Sequence, residues 1–550
     1  MGKTTRDTLI QSIYLASELL KDKGVVGFVV NGSFIDSKSA DGFRKCVAKD
    51  FAHLYVLNLR GNQRTSGEVS KKEGGKIFDS GSRATIAIVF FVKDTSVSDS
   101  NTIHYYDIGD YLKREAKLNK LAEFEDLDSV EFETITPNEK GDWINQRDDA
   151  FDKLIPLKRD KTLQNPSVFD INSMGVVTGR DSWVYNFSKN ALIKNVKKCI
   201  DTYNADLKRF NEVFREAFKQ RTKGVKPGDL YRHFNDKEIT TDKTKISWTD
   251  GLKNKLIKNE NLQESKKECV RLALYRPFNK QWLYWDKDLI HRQGRQFSKI
   301  FPNKHAQNVV INTGVGNGKD FSALVSDFIA DYGLISPNQA YPLYCYDDLG
   351  RRDYAISGWA LNLFRKHYGD NSITEEEIFY YIYAILHHKG YLEKYKNSLK
   401  KEEPRIALSP DFKELSTLGK ELGELHLNYE SGEMHTSVKY TTLMNAEIEG
   451  YYDVEKMTKK GDRIVYNKNI IITKIPDKAF DYVVNGKSAI DWVIERYQKT
   501  MDTMDKESLI ENSPNDYAGG KYILELLCRV IKLSEKSVDL IEKISEKRFE

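Results

Sequence analysis

The sequence predicts an α/β region followed by an α+β region that ends in a helical C-terminal part. Three observations carry that reading. Helical stretches alternate with short β-branched runs over residues 7–92, short aromatic-rich strands mix with helices from 166 to 360, and residues 375–430 are strongly helical.

In residues 7–23, Leu9, Ile13, Leu15, Ala16, Leu19 and Leu20 fall at helical spacing, and Gly24 supplies a stop. The run Val25 to Val30 is short and β-branched enough for a buried strand. A helix over Asp41 to Lys49, a strand over Leu54 to Leu59 and another over Thr85 to Val92 complete an alternating pattern that reads as part of an open sheet. So few strands before the acidic stretch Glu123 to Glu133 fall below the usual sheet size, and a further portion is expected upstream of Met1. Residues 126–160 are polar, with a turn cluster from Asn138 to Asp142, and read as a linker between regions 1–125 and 161–450. Residues 451–550 add a strand pair, Arg463 to Tyr466 and Asn469 to Thr473, and helices to the C-terminus.

Composition narrows the function classes. The 550 residues carry 86 Lys and Arg against 81 Asp and Glu, a net charge of +5, with both signs interspersed. That balance excludes a polybasic tail protein and leaves room for a nucleic-acid binder with a local basic face. Hydrophobic residues at 40% exclude general disorder. The five cysteines lie far apart with no Cys-x-x-Cys pair, which reads as reduced thiols rather than a disulfide framework or zinc site. No run approaches membrane-span length, so the expected location is the cytoplasm.

Several motifs weaken on inspection. MGKTT at Met1 to Thr5 lacks the preceding strand and earlier glycine of a phosphate loop. The cluster Gly314 to Asp320 (GVGNGKD) follows an apolar strand but matches neither the dinucleotide fingerprint nor the phosphate loop, and reads as a structural or DNA-phosphate loop ahead of a nucleotide site. His387 and His388 are adjacent rather than at metal-ligand spacing, and read as a satisfied pair; no metal site is expected.

Two basic blocks are more informative. Residues 58–83 hold six basic side chains, among them Arg60, Arg64, Lys71, Lys72 and Arg83, together with Asn62, Gln63 and several glycines. Such a loop can lie against phosphates and present base-reading donors, and nucleic-acid contact is favoured over an ordinary solvated loop. The second block, LYRPFNKQWLYW (274–285) followed by HRQGRQ (291–296), contributes Arg276, Lys280, Arg292, Gln293 and Arg295 as candidate DNA contacts. Tyr275, Phe278, Trp282 and Tyr284 read as packing residues.

These blocks sit inside longer segments, VVGFVVNGSFIDSKSADGFR (25–44), NLRGNQRTSGEVSKKEGGKIF (58–78), GVVTGRDSWVYNFS (175–188), LYRPFNKQWLYWD (274–286), YYIYAILHHKGYLEKYKNSLKKEEPRIALSPDF (380–412), LGELHLNYE (422–430) and YVVNGKSAIDWVIERYQ (482–498). Through them the chain resembles the type ISP restriction-modification enzymes, single polypeptides joining nuclease, helicase, adenine-N6 DNA methyltransferase and target-recognition parts. The resemblance implies that residues 1–125 are the second half of a Rossmann-like methyltransferase sheet and that residues from about 160 are the target-recognition region. By position it implies that Phe78 stacks on the flipped-out adenine, since a flipped base needs a π surface to replace its lost stacking; a core anchor between two strands stays open as the other reading.

The sequence also departs from the family. It has no Pro-Pro pair for the Asn-Pro-Pro-Tyr-type motif, and no glycine-rich loop after a first strand to hold S-adenosylmethionine. The resemblance therefore implies recognition of duplex DNA as the C-terminal part of such an enzyme. This chain alone is expected to be inactive and without cofactor, with no catalytic residues, and a separate polypeptide would supply the cofactor half and the helicase and nuclease parts. The alternatives are a complete or trans-complemented adenine methyltransferase, with an unusual cofactor site around Gly314 to Gly318, and a degenerate DNA-binding remnant.

Overall fold

The computed structural model describes residues 8–64, 67–78, 83–96, 101–159, 165–294, 296–314, 320–441, 449–501 and 510–550. The chain divides into two compact units. The first comprises Met1–Leu154 with Val315–Phe321 and Leu392–Arg405; the second comprises Ile155–Gly314, Ser322–Tyr391 and Ile406–Glu550.

The first unit is built on a five-stranded sheet. In chain order its elements are α1 (Thr8–Leu19), β1 (Lys23–Asn31), α2 (Asp41–Asp50), β2 (His53–Asn58), α3 (Gly67–Glu73), β3 (Ile86–Asp94), β4 (Thr102–Asp107), α4 (Arg114–Ala122) and β5 (Glu133–Ile135). The strand order is β1-β3-β2-β4-β5. Strand β3 runs antiparallel to both β1 and β2, whereas β2 and β4 are parallel, so β1, β2 and β4 point the same way. The sheet is covered on both faces, which is why its central strands read as nearly continuous apolar runs. Leu54, Val56, Val89 and Phe91 face Ile13, Phe34, Val47 and Phe51, while Leu57, Ile77, Ile86 and Ile108 form a second layer with Leu112 and Leu121.

The stretch read as a linker contains a buried charge cluster. Its turn signal is real, because Asn138 accepts from the Gly141 amide and Gly141 adopts φ 78°. Beside the turn, Asp142 is fully buried and accepts from Arg147 Nε at 2.7 Å and Arg44 Nη2 at 3.3 Å, with Lys401 Nζ at 3.5 Å.

The second unit holds two four-stranded sheets. One has the order Ile329–Ala330, Val270–Arg276, Asn279–Tyr284, Tyr185–Asn186; the other runs Ala323–Ser326, Val310–Gly314, Asn338–Pro342, Ser173–Met174. The helix Lys189–Arg209 continues through a π-helical turn at Phe210–Phe214 into Arg215–Arg221. Helices Glu375–Ile385 and Phe412–Leu427 cross where Gly419 lies under Tyr380; a Cβ there would sit 2.0 Å from the Tyr380 carbonyl oxygen. The C-terminal helix Tyr522–Ser545 buries Leu526, Leu527, Val530 and Ile531 against Ile464, Ile470 and Ile472 of the strand pair expected near 463–473. Among the described residues no helix is long and apolar enough to cross a membrane.

Candidate nucleic-acid interface

In open α/β sheets, ligands bind beyond the carboxyl ends of the parallel strands. In the first unit that end is marked by Asn31, Asn58 and Asp107, and the basic loop leaves directly from Asn58. The Asn58 side chain donates to Tyr105 Oη at 3.0 Å and accepts from the Arg60 amide at 3.1 Å. Arg60, with φ 53°, sends Nε and Nη2 to the two carboxylate oxygens of Asp107 at 2.6 and 3.0 Å and pairs with Asp110 as well. This expected DNA contact is thus an anchor for the loop.

The rest of the loop is folded rather than extended, and includes the helix α3, which sequence reading missed for want of an apolar stripe. The Gly61 and Asn62 amides donate to the Glu73 carbonyl and carboxylate at 3.1 and 2.9 Å, and Gln63 Nε2 reaches the Gly74 carbonyl at 3.1 Å. Gly74 ends α3 at φ 68°, with a Cβ position only 2.1 Å from the Leu112 carbonyl oxygen, so no other residue fits there without displacing the backbone. Lys117, fully buried on α4, donates to the carbonyls of Leu59 at 2.9 Å and Glu73 at 2.8 Å, joining the two ends of the loop. Burial pushes its ammonium down to about 8, partly offset by the Glu73 charge.

This scaffold leaves Arg64, Lys71, Lys72 and Arg83 exposed at the surface, with Arg83 also donating to the Gln63 carbonyl. Phe78 is 48% exposed, and the neighbouring Ile77 supplies the core anchor instead. Replacing Lys117 with methionine keeps the aliphatic stem and removes both carbonyl contacts, a loss of about 1–3 kcal/mol. Amide hydrogen exchange is expected to accelerate across residues 59–76 while the centre of β3 keeps its protection.

In the second unit the expected contacts divide. Arg276 stacks on Tyr275 at 3.9 Å and pairs with Asp331 at 2.7 Å; a Cβ on Gly333 would fall 2.7 Å from its guanidinium carbon. Lys280 is buried, pairs with Glu430 at 2.6 Å and lies 4.1 Å from the Phe328 ring centre. The partly buried Arg276 and the buried Lys280, both read from the sequence as DNA contacts, are thus each engaged by a carboxylate within the unit, as a cation withdrawn from water requires. Arg292 is exposed; its backbone pairs with Val177, and its side chain has no carboxylate partner among the described residues. Gln293 is half-buried beside it. Arg295, the glycine cluster from Val315 to Lys319 and the segment Met1 to Thr5 lie outside the described residues.

His387 and His388 are both buried and satisfied: His387 Nδ1 pairs with the Tyr383 carbonyl and His388 Nε2 with the Lys547 carbonyl, each at 2.8 Å. Among the described residues no cluster of His, Cys, Asp and Glu could hold a metal ion.

The first unit is thus a doubly covered sheet with a basic loop at its carboxyl end, and the second a mixed α+β unit. The profile of the Type ISP C-terminal specificity domain matches residues 167–526, and the chain belongs to that family. Solved structures agree over the whole length. A nuclease-deletion mutant of the Type ISP restriction-modification enzyme LlaGI, in complex with a DNA substrate mimic, is 39% identical with a TM-score of 0.86, covering 100% of this chain and 49% of that one. The ATP-dependent Type ISP enzyme LlaBIII bound to DNA is 34% identical with a TM-score of 0.85, covering 99% and 35%. A DrdV–DNA complex is 30% identical with a TM-score of 0.81, covering 97% and 51%. The chain thus spans between about a third and a half of these relatives. No curated protein matches it.

Proposed function

We propose that this chain recognises a specific duplex DNA sequence as the C-terminal part of a type ISP-like adenine-N6 methyltransferase. The observation that carries the reading is the specificity-domain match over residues 167–526, and the likeness to DNA-bound relatives supports it. In this reading Arg64, Lys71, Lys72 and Arg83 neutralise phosphates, Arg292 and Gln293 read base edges, and the exposed Phe78 offers its ring to an extruded adenine.

The turn after β1 does not fit S-adenosylmethionine. It closes on itself, with the Asn31 side chain accepting from the Ser33 amide at 2.9 Å and the Gly32 Cβ position 3.3 Å from Thr85 and Ala87. That closed turn supports the reading in which the methyl donor is held by another part of a complete enzyme.

Selection of the purified chain against random duplex DNA tests the proposal. A short enriched motif is expected, with affinity that falls steeply with salt because phosphate contacts release counterions. Arg292→Ala should relax selectivity at one position by about 1–3 kcal/mol. Flat enrichment that persists when a separately made cofactor-binding half is added would overturn the reading.

A further inference from the structure

The second unit contains a cavity of about 620 Å³ that none of the expected contacts explains. That volume lies within the roughly 300–1,000 Å³ typical of small-ligand pockets. It opens where strand Val270–Arg276 has a free edge: Ile329 and Ala330 pair with Ala273 and Leu274, and among the described residues Val270 to Leu272 have no strand partner on that side.

The lining combines cations with aromatic surface. Arg271 donates Nη1 to the Phe301 carbonyl at 3.2 Å, while its buried Nε has no hydrogen-bond partner among the described residues. Lys189, Lys267 and Lys304 are exposed along the rim, and among the described residues none of these four cations forms an ion pair. Lys189 Nζ stands 3.9 Å from the centre of the Trp282 ring, which is half-buried and forms part of the wall with Phe328. Lys189 and Asn190 also begin the helix Lys189–Arg209, whose positive dipole end favours an anion there. One carboxylate, Asp327, completes the lining.

We propose that this cavity binds a single nucleotide unit, its phosphate held by Arg271 and the rim lysines, its base against Trp282, and an amino edge of the base directed to Asp327. A bare phosphate would leave the aromatic wall and most of the volume unused, and an apolar ligand would leave four cations without a counter-charge. Base stacking on an aromatic side chain contributes about 1–3 kcal/mol and tolerates any base. The nucleotide can come from an extrahelical position in bound DNA or from free solution. The site stands on its own lining and does not rest on sequence-specific duplex recognition.

The test uses the full chain. Calorimetric titration with each of the four deoxynucleoside monophosphates, against inorganic phosphate, addresses the free source; fluorescence of duplexes carrying 2-aminopurine addresses the extrahelical one. Either a monophosphate should bind at least tenfold more tightly than phosphate, or 2-aminopurine fluorescence should change on binding in a manner that depends on Trp282. The response should fall at least tenfold in Trp282→Leu, and also in the double variant Lys267→Ala/Lys304→Ala, whose exposed positions leave the fold intact. Phosphate binding as tight as any nucleotide, a response unchanged by these variants, or no response from either source would overturn the proposal. Loss of duplex selectivity with retained Trp282-dependent nucleotide binding would count against the proposed function alone.

Discussion

Asp142→Asn is expected to lower the stability of the first unit by about 3–5 kcal/mol, because it leaves two interior guanidiniums without their shared counter-charge. Arg44 is fully buried and among the described residues otherwise donates only to the carbonyls of Gly141, Phe34 and Ser37, at 2.7 Å each. Arg147 reaches both Asp142 oxygens and Glu402, the latter at 2.6 Å. Burial alone would raise the Asp142 carboxyl; hydrogen bonds from Arg147 and the charge of Lys401 instead hold it well below the usual carboxylate range. Asparagine keeps the shape and removes the charge, so the loss is electrostatic rather than steric. Denaturant unfolding of the first unit should show the midpoint fall. Lys38→Ala, which breaks a half-exposed pair with Glu402 at 3.4 Å, should cost no more than about 1 kcal/mol. A fall no larger for Asp142→Asn than for Lys38→Ala would remove the cluster from the account of stability.

The contrast between these two residues shows what a sequence discloses. The turn at Asn138 to Asp142 is legible because turn chemistry is local, but the meeting of Arg44, Asp142, Arg147 and Glu402 depends on contacts between segments far apart in sequence. Strand positions in the first unit follow from β-branched runs, whereas the insertion of β3 between β1 and β2 leaves no mark on periodicity. Arg276 and Lys280 look like surface cations in a basic, aromatic block, yet their partners Asp331 and Glu430 lie 55 and 150 residues away. Trp282 reads as packing because its neighbours do; only the free strand edge beside it turns part of its face toward a cavity. Arg60 shows the reverse case, a loop cation whose carboxylates sit at the end of β4 and in the turn beyond it, out of reach of any local pattern.

Acidification is expected to draw stability from the second unit through two buried histidines. His426 is buried between helices, with Nδ1 to Tyr383 Oη at 2.6 Å and Nε2 to Ser537 Oγ at 2.9 Å, and its ring stacks on Tyr482. His387 lies beside it, held by the Tyr383 carbonyl, and among the described residues no carboxylate contacts either ring. Burial pushes His387 down to about 4, opposed by the Tyr383 and Ala323 backbone; burial and then the neighbouring His387 push His426 well below the ordinary value. Above pH 6.5 both rings are neutral in folded and unfolded chains alike and stability is complete. Between about 6.5 and 4 the unfolded chain takes up protons that the folded chain refuses, so stability falls with pH, by roughly 3 kcal/mol for His387 alone. Asp142 works in a lower window: its depressed carboxyl stabilises the first unit above the unfolded value near 3.8 and loses that contribution only as the pH falls below it. Thermal unfolding at pH 7.5, 5 and 3.5 should show the histidines' loss in the second unit, offset in part by Asp331, whose carboxyl burial pushes up to about 6 so that the folded chain takes up its proton before the unfolded one. His387→Gln should flatten the slope of the second unit between pH 6.5 and 4 while leaving the acid limb of the first unit unchanged, and an unaltered slope would mean that these imidazoles do not set the acid sensitivity of the fold.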